Sequence, residues 1–180
     1  MSVRAWCAIV LLAASAPAAA QTRPRTPRVV SIRPLEATVS NAVVMPPALQ
    51  FAASDPDLGR VQANTPATVV WQIMGARPTG TWALTVQAEA ATFSGCGRVP
   101  VTAVTVRCAS VSSGGHGGAG TCGAPFQLSN QPQTLATGSQ GNGNARFTVT
   151  VSFTFQDGWQ YTGAVNPPCT LNLNYTIQAS

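Results

Sequence analysis

The sequence predicts an all-β protein, a single immunoglobulin-like β-sandwich of about seven to nine antiparallel strands. Apolar and polar residues alternate in several short segments, as they do in a strand with one buried face. Glycine, proline and asparagine separate these segments, and no stretch after residue 20 repeats with helical spacing. Of the 180 residues, 45% are hydrophobic and only 8% are charged, against roughly 25% in an ordinary soluble domain. Glycine and proline number 16 and 14, about one residue in six, which is below the roughly one in four of low-complexity disorder, so we expect the chain to fold.

The first 20 residues have the organisation of a secretory signal peptide. Arg4 precedes an apolar run over residues 5–16, and small residues follow up to Ala20, after which we expect cleavage. The run is shorter than the roughly 20 residues that a membrane-spanning helix needs. We therefore expect an exported protein, periplasmic or extracellular at the cell surface, that does not span the membrane. Cys7 lies inside the signal, away from the cleavage point, which argues against a lipid anchor.

Residues 21–33 form a basic arm rich in proline and arginine. The arm holds four of the ten arginines and no acid, whereas residues 34–180, the predicted sandwich domain, hold five arginines and five acids. The formal net charge of +5 therefore comes mainly from the arm. A nucleic-acid site needs basic residues and interleaved aromatic residues on a folded face, so we expect no nucleic-acid partner.

The alternation predicts strands, in chain order, at residues 69–73, 82–86, 99–106, 146–155 and 170–179. We expect the first two to pair through a turn at Gly75–Gly80. The third changes phase once, which predicts a β-bulge. The fourth has the clearest alternation, and Asn142-Gly143-Asn144 before it suits a tight hairpin turn.

Four cysteines follow the signal, Cys96, Cys108, Cys122 and Cys169, an even number in a chain predicted to enter an oxidising compartment. This favours two disulfides over a metal site, since no spacing matches a zinc pattern. Four cysteines allow three connectivities, and the sequence alone does not choose among them. We favour Cys108 with Cys122, which flank a glycine-rich segment and would face each other across a hairpin, leaving Cys96 to Cys169.

Residues that carry catalysis are scarce, so we expect a protein that is not an enzyme and that uses no catalytic residue, cofactor or metal ion. All ten basic residues are arginine, and the single histidine, His116, lies in a glycine-rich segment without rigid support. Nucleophile elbows, zinc-protease motifs and phosphate-binding loops do not occur. Asp55 and Asp57 supply too few oxygen ligands for calcium, and we interpret them as part of a turn.

The aromatic residues separate into two groups. Trp71 and Trp82 share the apolar phase of their strands, which predicts that both are buried in the core. Trp159 and Tyr161 lie in a predicted turn, where exposed rings can stack on sugars. They are therefore the predicted ligand contacts if the protein binds a glycan.

The segments Thr81–Val86 and Val99–Val106, with a last strand after Tyr161-Thr162-Gly163, resemble bacterial surface β-sandwiches of the WxL type. The resemblance covers residues 66–179, but the second Trp-x-Leu motif is missing, so wall attachment is not implied. The chain is also similar to secreted pilin-like subunits of the spore-coat-U kind in its signal peptide, cysteines and Thr/Asn-rich strands. This second resemblance implies self-association, in which an N-terminal strand completes a neighbour's sheet. The arm before Val29 would be that strand, although its prolines and arginines pair poorly.

Two functions are thus predicted as alternatives. The first is a secreted, non-enzymatic protein with a structural or adhesive role at the bacterial cell surface or in the periplasm, whose partners are further copies of itself or other surface proteins. The second is a glycan- or peptidoglycan-binding module. The oligomeric state of the mature chain separates the two, because only the first requires assembly.

Overall fold

The computed structural model describes residues 2–4, 8–13, 28–30, 37–53, 59–115, 117–157 and 169–180, with the backbone alone at 2–4, 8–13, 28–30, 52–53 and 96–98. This part of the chain is built of strands and one short 3-10 turn. In chain order the strands are β1 (Ser2–Arg4), β2 (Ala8–Ala13), β3 (Arg28–Val30), β4 (Thr38–Met45), β5 (Ala48–Ala53), β6 (Arg60–Gln62), β7 (Ala67–Ala76), β8 (Thr81–Ala88), β9 (Thr92–Phe93), β10 (Cys96–Pro100), β11 (Val104–Gly114), β12 (Ala119–Cys122), β13 (Phe126–Gln127), β14 (Gln133–Ser139), β15 (Gly143–Gln156) and β16 (Leu173–Ala179).

Two six-stranded sheets form the body of the molecule. Sheet 1 has the order β12-β14-β8-β16-β1-β3, and sheet 2 has the order β13-β11-β15-β7-β4, with β6 beside the end of β15. All ladders within these two sheets are antiparallel, whereas β5 pairs in parallel with β2. The predicted all-β sandwich is therefore confirmed. The described strands outnumber the seven to nine expected, because six of them are only two to four residues long and β2 lies within the predicted signal peptide.

The core lies between the sheets and follows from the alternation. Over β15 the odd-numbered residues from Ala145 to Phe155 are buried, while the threonines and serine between them are half-buried. The last strand, β16, repeats the pattern with Leu173, Tyr175 and Ile177 buried. Both strands were predicted by period-two alternation, and both are confirmed, because a pleated strand turns alternate side chains to opposite faces.

An aromatic cluster joins the two sheets. Trp71 of sheet 2 and Trp82 of sheet 1 meet edge to face with ring centroids 5.1 Å apart, and Phe147 lies 5.5 Å from Trp71 and 5.0 Å from Trp82. The predicted core position of both tryptophans is confirmed. The Trp82 indole N–H donates to the Ser139 carbonyl at 3.1 Å, whereas the buried Trp71 N–H has no hydrogen-bond partner within the described residues.

The chain crosses between sheets at places where the sequence suggested hairpins. The predicted pairing of β7 with β8 through Gly75–Gly80 is wrong, because β7 pairs with β4 and β15 and β8 pairs with β14 and β16. The hairpin predicted at Asn142-Gly143-Asn144 is wrong in the same way, since β14 belongs to sheet 1 and β15 to sheet 2. Alternation identifies the buried side of a strand but not its neighbour, and here the apolar sides of β7 and β8 face each other across the core.

The strand predicted at 99–106 is two strands separated by a turn. β10 ends at Pro100, a 3-10 turn covers Val101–Ala103, and β11 begins at Val104. The phase shift interpreted as a bulge is therefore this turn. Proline lacks the N–H that would continue the ladder, and the Val101 N–H donates instead to the Ala91 carbonyl at 3.0 Å.

The buried side chain of Gln140 forms hydrogen bonds that link the C-terminal end of β16 to the turn between β7 and β8. Gln140 Nε2 donates to the carbonyls of Thr81 and Ser180, both at 2.8 Å, and its Oε1 accepts from the Arg77 backbone N–H at 3.4 Å. Backbone bonds between Thr81 and Ser180 at 2.9 and 3.0 Å close the same corner. Burial of Gln140 is tolerated because its amide is hydrogen-bonded.

The predicted signal peptide and arm contain strands in this structure. β1 pairs with β16 and with β3, and β2 runs parallel to β5 over residues 48–53. β1 and β2 lie within residues 1–20, and β3 lies within the arm. The boundaries at residues 20 and 33 stay predictions. None of the described residues belongs to a helix that could cross a bilayer.

Candidate functional site

A disulfide closes one side of the sandwich. Cys108 of β11 is bonded to Cys122 of β12, with an S–S distance of 2.05 Å and 5.3 Å between the Cα atoms. The favoured pairing of these two cysteines is therefore present, but it does not cross a hairpin. β11 belongs to sheet 2 and β12 to sheet 1, so the bond ties the two sheets together at their edge.

The second predicted disulfide stays a prediction. Cys169 is disulfide-bonded and buried, but the Cys96 side chain lies outside the described residues. The backbone is compatible with the proposed pair, since Ser94 and Thr170 form an antiparallel bridge with bonds of 2.7 and 2.9 Å. The bridge lies two residues before Cys96 and one residue after Cys169, so it brings the two segments that carry these cysteines together.

Several residues singled out in the sequence fall outside the described part of the chain. They are the predicted ligand contacts Trp159 and Tyr161, the histidine His116, and the turn carboxylates Asp55 and Asp57. Their assignments stay predictions.

The described carboxylates do not form a cluster. Glu89 follows β8 of sheet 1 and accepts a hydrogen bond from Asn172 Nδ2 at 2.9 Å. Asp157 follows β15 of sheet 2 and is nearly buried. Within the described ranges, no group of three or more His, Cys, Asp or Glu side chains could hold a metal ion.

The side of the sandwich opposite the disulfide is different, because its outermost strand in sheet 2 carries exposed apolar side chains. β4 pairs with β7 alone, and the backbone groups on its other edge have no ladder partner in the described residues. Val43 is 41% exposed and Met45 is 61% exposed on this strand, and Met74 on β7 is 42% exposed. Long unpaired edges with apolar side chains are sites for the addition of another strand.

Sequence reasoning did not assign β4 as a strand. Val39, Ala42 and Val44 are its buried residues, so the alternation loses phase between 39 and 42. Asn41 has a φ of 51°, and the register with β7 shifts between Ser40 and Val43. The shift is the signature of a bulge, which adds one residue and reverses the phase. The sequence signal that could have identified β4 was two short alternating segments, one before and one after Asn41.

Two strands of the predicted signal peptide occupy positions on this same side. β16 packs against β4 across the core, and its outer edge is paired with β1, Ser2 to Thr176 and Val3 to Tyr175. β5, which follows β4 in the chain, is paired with β2 along its whole length, Ala8 to Ala48 through Ala13 to Ala53. Leu49 and Phe51 of β5 are fully buried.

No protein-family model matches the chain, and comparison with curated proteins and with solved structures finds no match. The resemblances to WxL-type and spore-coat-U-like proteins are therefore neither supported nor opposed by these comparisons.

The two sides of the sandwich have different chemical properties. One is closed by a covalent bond. On the other, sheet 1 ends in β1 of the predicted signal peptide and β3 of the arm, and the outer edge of β4 in sheet 2 has no described partner. Such an edge offers backbone N–H and C=O groups in register together with apolar side chains, which is what a further β-strand requires in order to bind.

Proposed function

We propose that the protein is an exported, non-enzymatic structural subunit of the bacterial periplasm or cell surface. Its copies join through strand addition at the open side of the sandwich, by which we mean β4, β5 and the outer edge of β16. The observation that carries this proposal is the pairing of β1 with β16 and of β2 with β5. Both added strands lie in residues 1–20, which processing of the predicted signal peptide would remove.

Processing would leave backbone groups and apolar surface without a cover. β5 would lose the strand that pairs with all six of its residues, among them the buried Leu49 and Phe51. β16 would lose its partner β1 and become an edge of sheet 1, across the core from β4 of sheet 2. Unpaired backbone groups and exposed apolar surface both carry a free-energy cost, and a strand from another copy would remove it. β4, with Val43 and Met45 exposed, extends the same surface.

The basic arm of a second copy is the favoured occupant. Its residues Arg28–Val30 already run as a strand beside β1 in the structure, so this part of the arm is compatible with extended pairing in spite of the prolines before it. The arm stays with the mature chain after cleavage at Ala20. Its positive charge would also keep the free subunits soluble through mutual repulsion.

The distribution of ionisable groups supports a non-enzymatic role. Glu89 follows a strand of sheet 1 and Asp157 follows a strand of sheet 2, while Arg60, Arg107 and Arg146 lie on three different strands of sheet 2 and Arg77 lies in the turn after β7. Acid–base or nucleophilic catalysis requires such groups to act together at one place. A rigid, charge-poor sandwich closed by a disulfide suits a structural part of an exported assembly.

The proposal is tested by comparing oxidised full chain 1–180 with oxidised chain 21–180 by multi-angle light scattering over a range of concentrations. We expect the full chain to stay monomeric because β1 and β2 cover the open side, and chain 21–180 to form concentration-dependent oligomers. Addition of a peptide with the sequence of residues 8–13 should dissociate those oligomers. A chain 21–180 that stays monomeric throughout would overturn the proposal.

A charged residue on the edge strand provides the matched control. Val43→Lys should weaken association of chain 21–180 at least tenfold, because a lysine on an edge strand opposes the approach of another strand. Thr137→Lys adds the same charge to an exposed position in the interior of sheet 1 and should leave association unchanged. Equal weakening by both variants would indicate general charge repulsion and contradict the proposed interface.

A further inference from the structure

A polar cleft opens on the outer face of sheet 2, at the end of the sheet where β6 joins β15. Its volume is about 350 Å³. Hydroxyl, amide and guanidinium groups dominate its lining, contributed by Arg60, Thr102, Thr105, Gln127, Thr154 and Gln156. None of these residues belongs to the open side of the sandwich described above.

The strand registers place these side chains together. Thr105 of β11 lies opposite Thr154 of β15 and also opposite Gln127 of β13, while Gln156 lies opposite Arg60 of β6. Phe153 and Phe155, the neighbours of Thr154, point into the core. Thr154 and Gln156 are thus mounted on a strand whose other face is packed in the core, which is the support that a binding site needs.

Among the described residues that line the cleft, Arg60 is the charged one. Arg60 is exposed and makes no ion pair within the described part of the chain. The lining residues that the structure describes include no carboxylate. Arg107 projects from the same face of β11, two residues from Thr105. A guanidinium without a partner is well suited to bind a carboxylate through two parallel hydrogen bonds.

We infer that this cleft binds a carboxylate-bearing sugar of the uronic-acid class, a function that goes beyond the proposed structural role. The carboxylate pairs with Arg60. The ring hydroxyls exchange hydrogen bonds with the threonine hydroxyls and with the amides of Gln127 and Gln156, since each of these groups supplies both a donor and an acceptor. The cleft volume lies near the lower end of the roughly 300–1,000 Å³ of ligand pockets, which favours a small sugar.

The test is an NMR titration of the oxidised, isotope-labelled full chain with glucuronic acid, with the neutral methyl glucoside and with inorganic phosphate. We expect glucuronic acid to shift the amide signals of Thr105, Gln127 and Thr154, and the other two compounds to bind at least tenfold more weakly. Equal binding of the neutral sugar would show that the carboxylate does not contribute to binding. Equal binding of phosphate would show a nonspecific anion site, and the absence of any shift would overturn the inference directly.

Two arginine variants localise the interaction. Arg60→Gln should weaken glucuronic acid binding at least tenfold. Arg146→Gln makes the same charge change on the outer face of the same sheet, eight residues from Thr154 along β15, or about 26 Å, and should leave binding unchanged. Equal loss in both variants would contradict a site in the cleft. Because these measurements do not involve association, they can fail while the proposed assembly stands, and the reverse also holds.

Discussion

The Trp82 ring packs against Gly120 and Gly138, and this contact depends on the absence of a Cβ atom at both glycines. A Cβ atom added to Gly120 would lie 2.5 Å from the Trp82 ring, and one added to Gly138 would lie 2.6 Å from it and would overlap the Ala119 carbonyl as well. These distances are far inside van der Waals contact. Gly138 is therefore required where β12, β14 and the tryptophan of β8 come together.

Replacement of Gly138 is the prediction at this scale. Gly138→Ala should destabilise the fold by about 1–3 kcal/mol, as overpacking of a filled core does, because the Ala119 backbone cannot move without breaking the β12–β14 ladder. Urea unfolding followed by tryptophan fluorescence measures the change. Gly114→Ala is the control, since its new Cβ would meet only Arg146 Cβ at 3.9 Å. A Gly138→Ala protein as stable as the Gly114→Ala protein would contradict this packing.

Among the elements, β11 and β12 illustrate how the two sheets are held together. They are close in sequence, yet each pairs with a different sheet, and the Cys108–Cys122 bond spans the sheet boundary with a sequence separation of 14 residues. A crosslink of this length restricts the unfolded chain, and its contribution in the chain-entropy model is about 3 kcal/mol. The bond therefore stabilises the side of the sandwich opposite the open edges.

Removal of this disulfide is the prediction for the elements. The double variant Cys108→Ala/Cys122→Ala should lose about 3 kcal/mol and melt roughly 6–12 °C lower than the parent chain. Differential scanning calorimetry of the oxidised proteins measures the shift. The exposed double variant Thr121→Ala/Ser110→Ala, which leaves the bond intact, serves as the control. A melting temperature unchanged by loss of the bond would contradict its stabilising role.

Element positions were more predictable than element partners. The alternation of Phe147, Val149 and Val151 is a property of adjacent residues, so β15 could be found without knowledge of the rest of the chain. The turns after β7 and β14 contain residues that suit hairpins, but the chain uses them to change sheets. Because the bulge at Asn41 interrupts the alternation, the sequence did not identify β4 or its exposed Val43. The cleft at Arg60 was equally hidden, since its residues come from distant segments.

At the scale of the whole molecule, one continuous core connects the sheets. The pairs Trp71–Trp82 and Trp82–Phe147 cross the interface between them. Nearer the other end, the Phe155 ring packs at a tilt against Phe51 and edge to face against Phe93. Aromatic pairs of this kind contribute about 0.5–1.5 kcal/mol each beyond their burial. Neither sheet can separate without exposing the apolar face of the other.

Cooperative unfolding is the prediction for the whole molecule. With its disulfides intact, chain 1–180 should unfold in urea as a single transition, because the two sheets share their core. Far-ultraviolet circular dichroism, which follows the strands, and tryptophan fluorescence, which follows the aromatic cluster, should give coincident curves. Two separated transitions would contradict a shared core and indicate that the sheets unfold independently.

The fold class, the main strands and the buried tryptophans could be predicted from residues that are neighbours in the chain, because alternation and hydrophobicity are local properties. Strand partners, the role of the Cys108–Cys122 bond between sheets, the open side at β4 and the polar cleft at Arg60 emerge only in three dimensions. The physical reason is that a pleated strand can bury its apolar face in either sheet, and the choice is made by packing among segments far apart in the sequence.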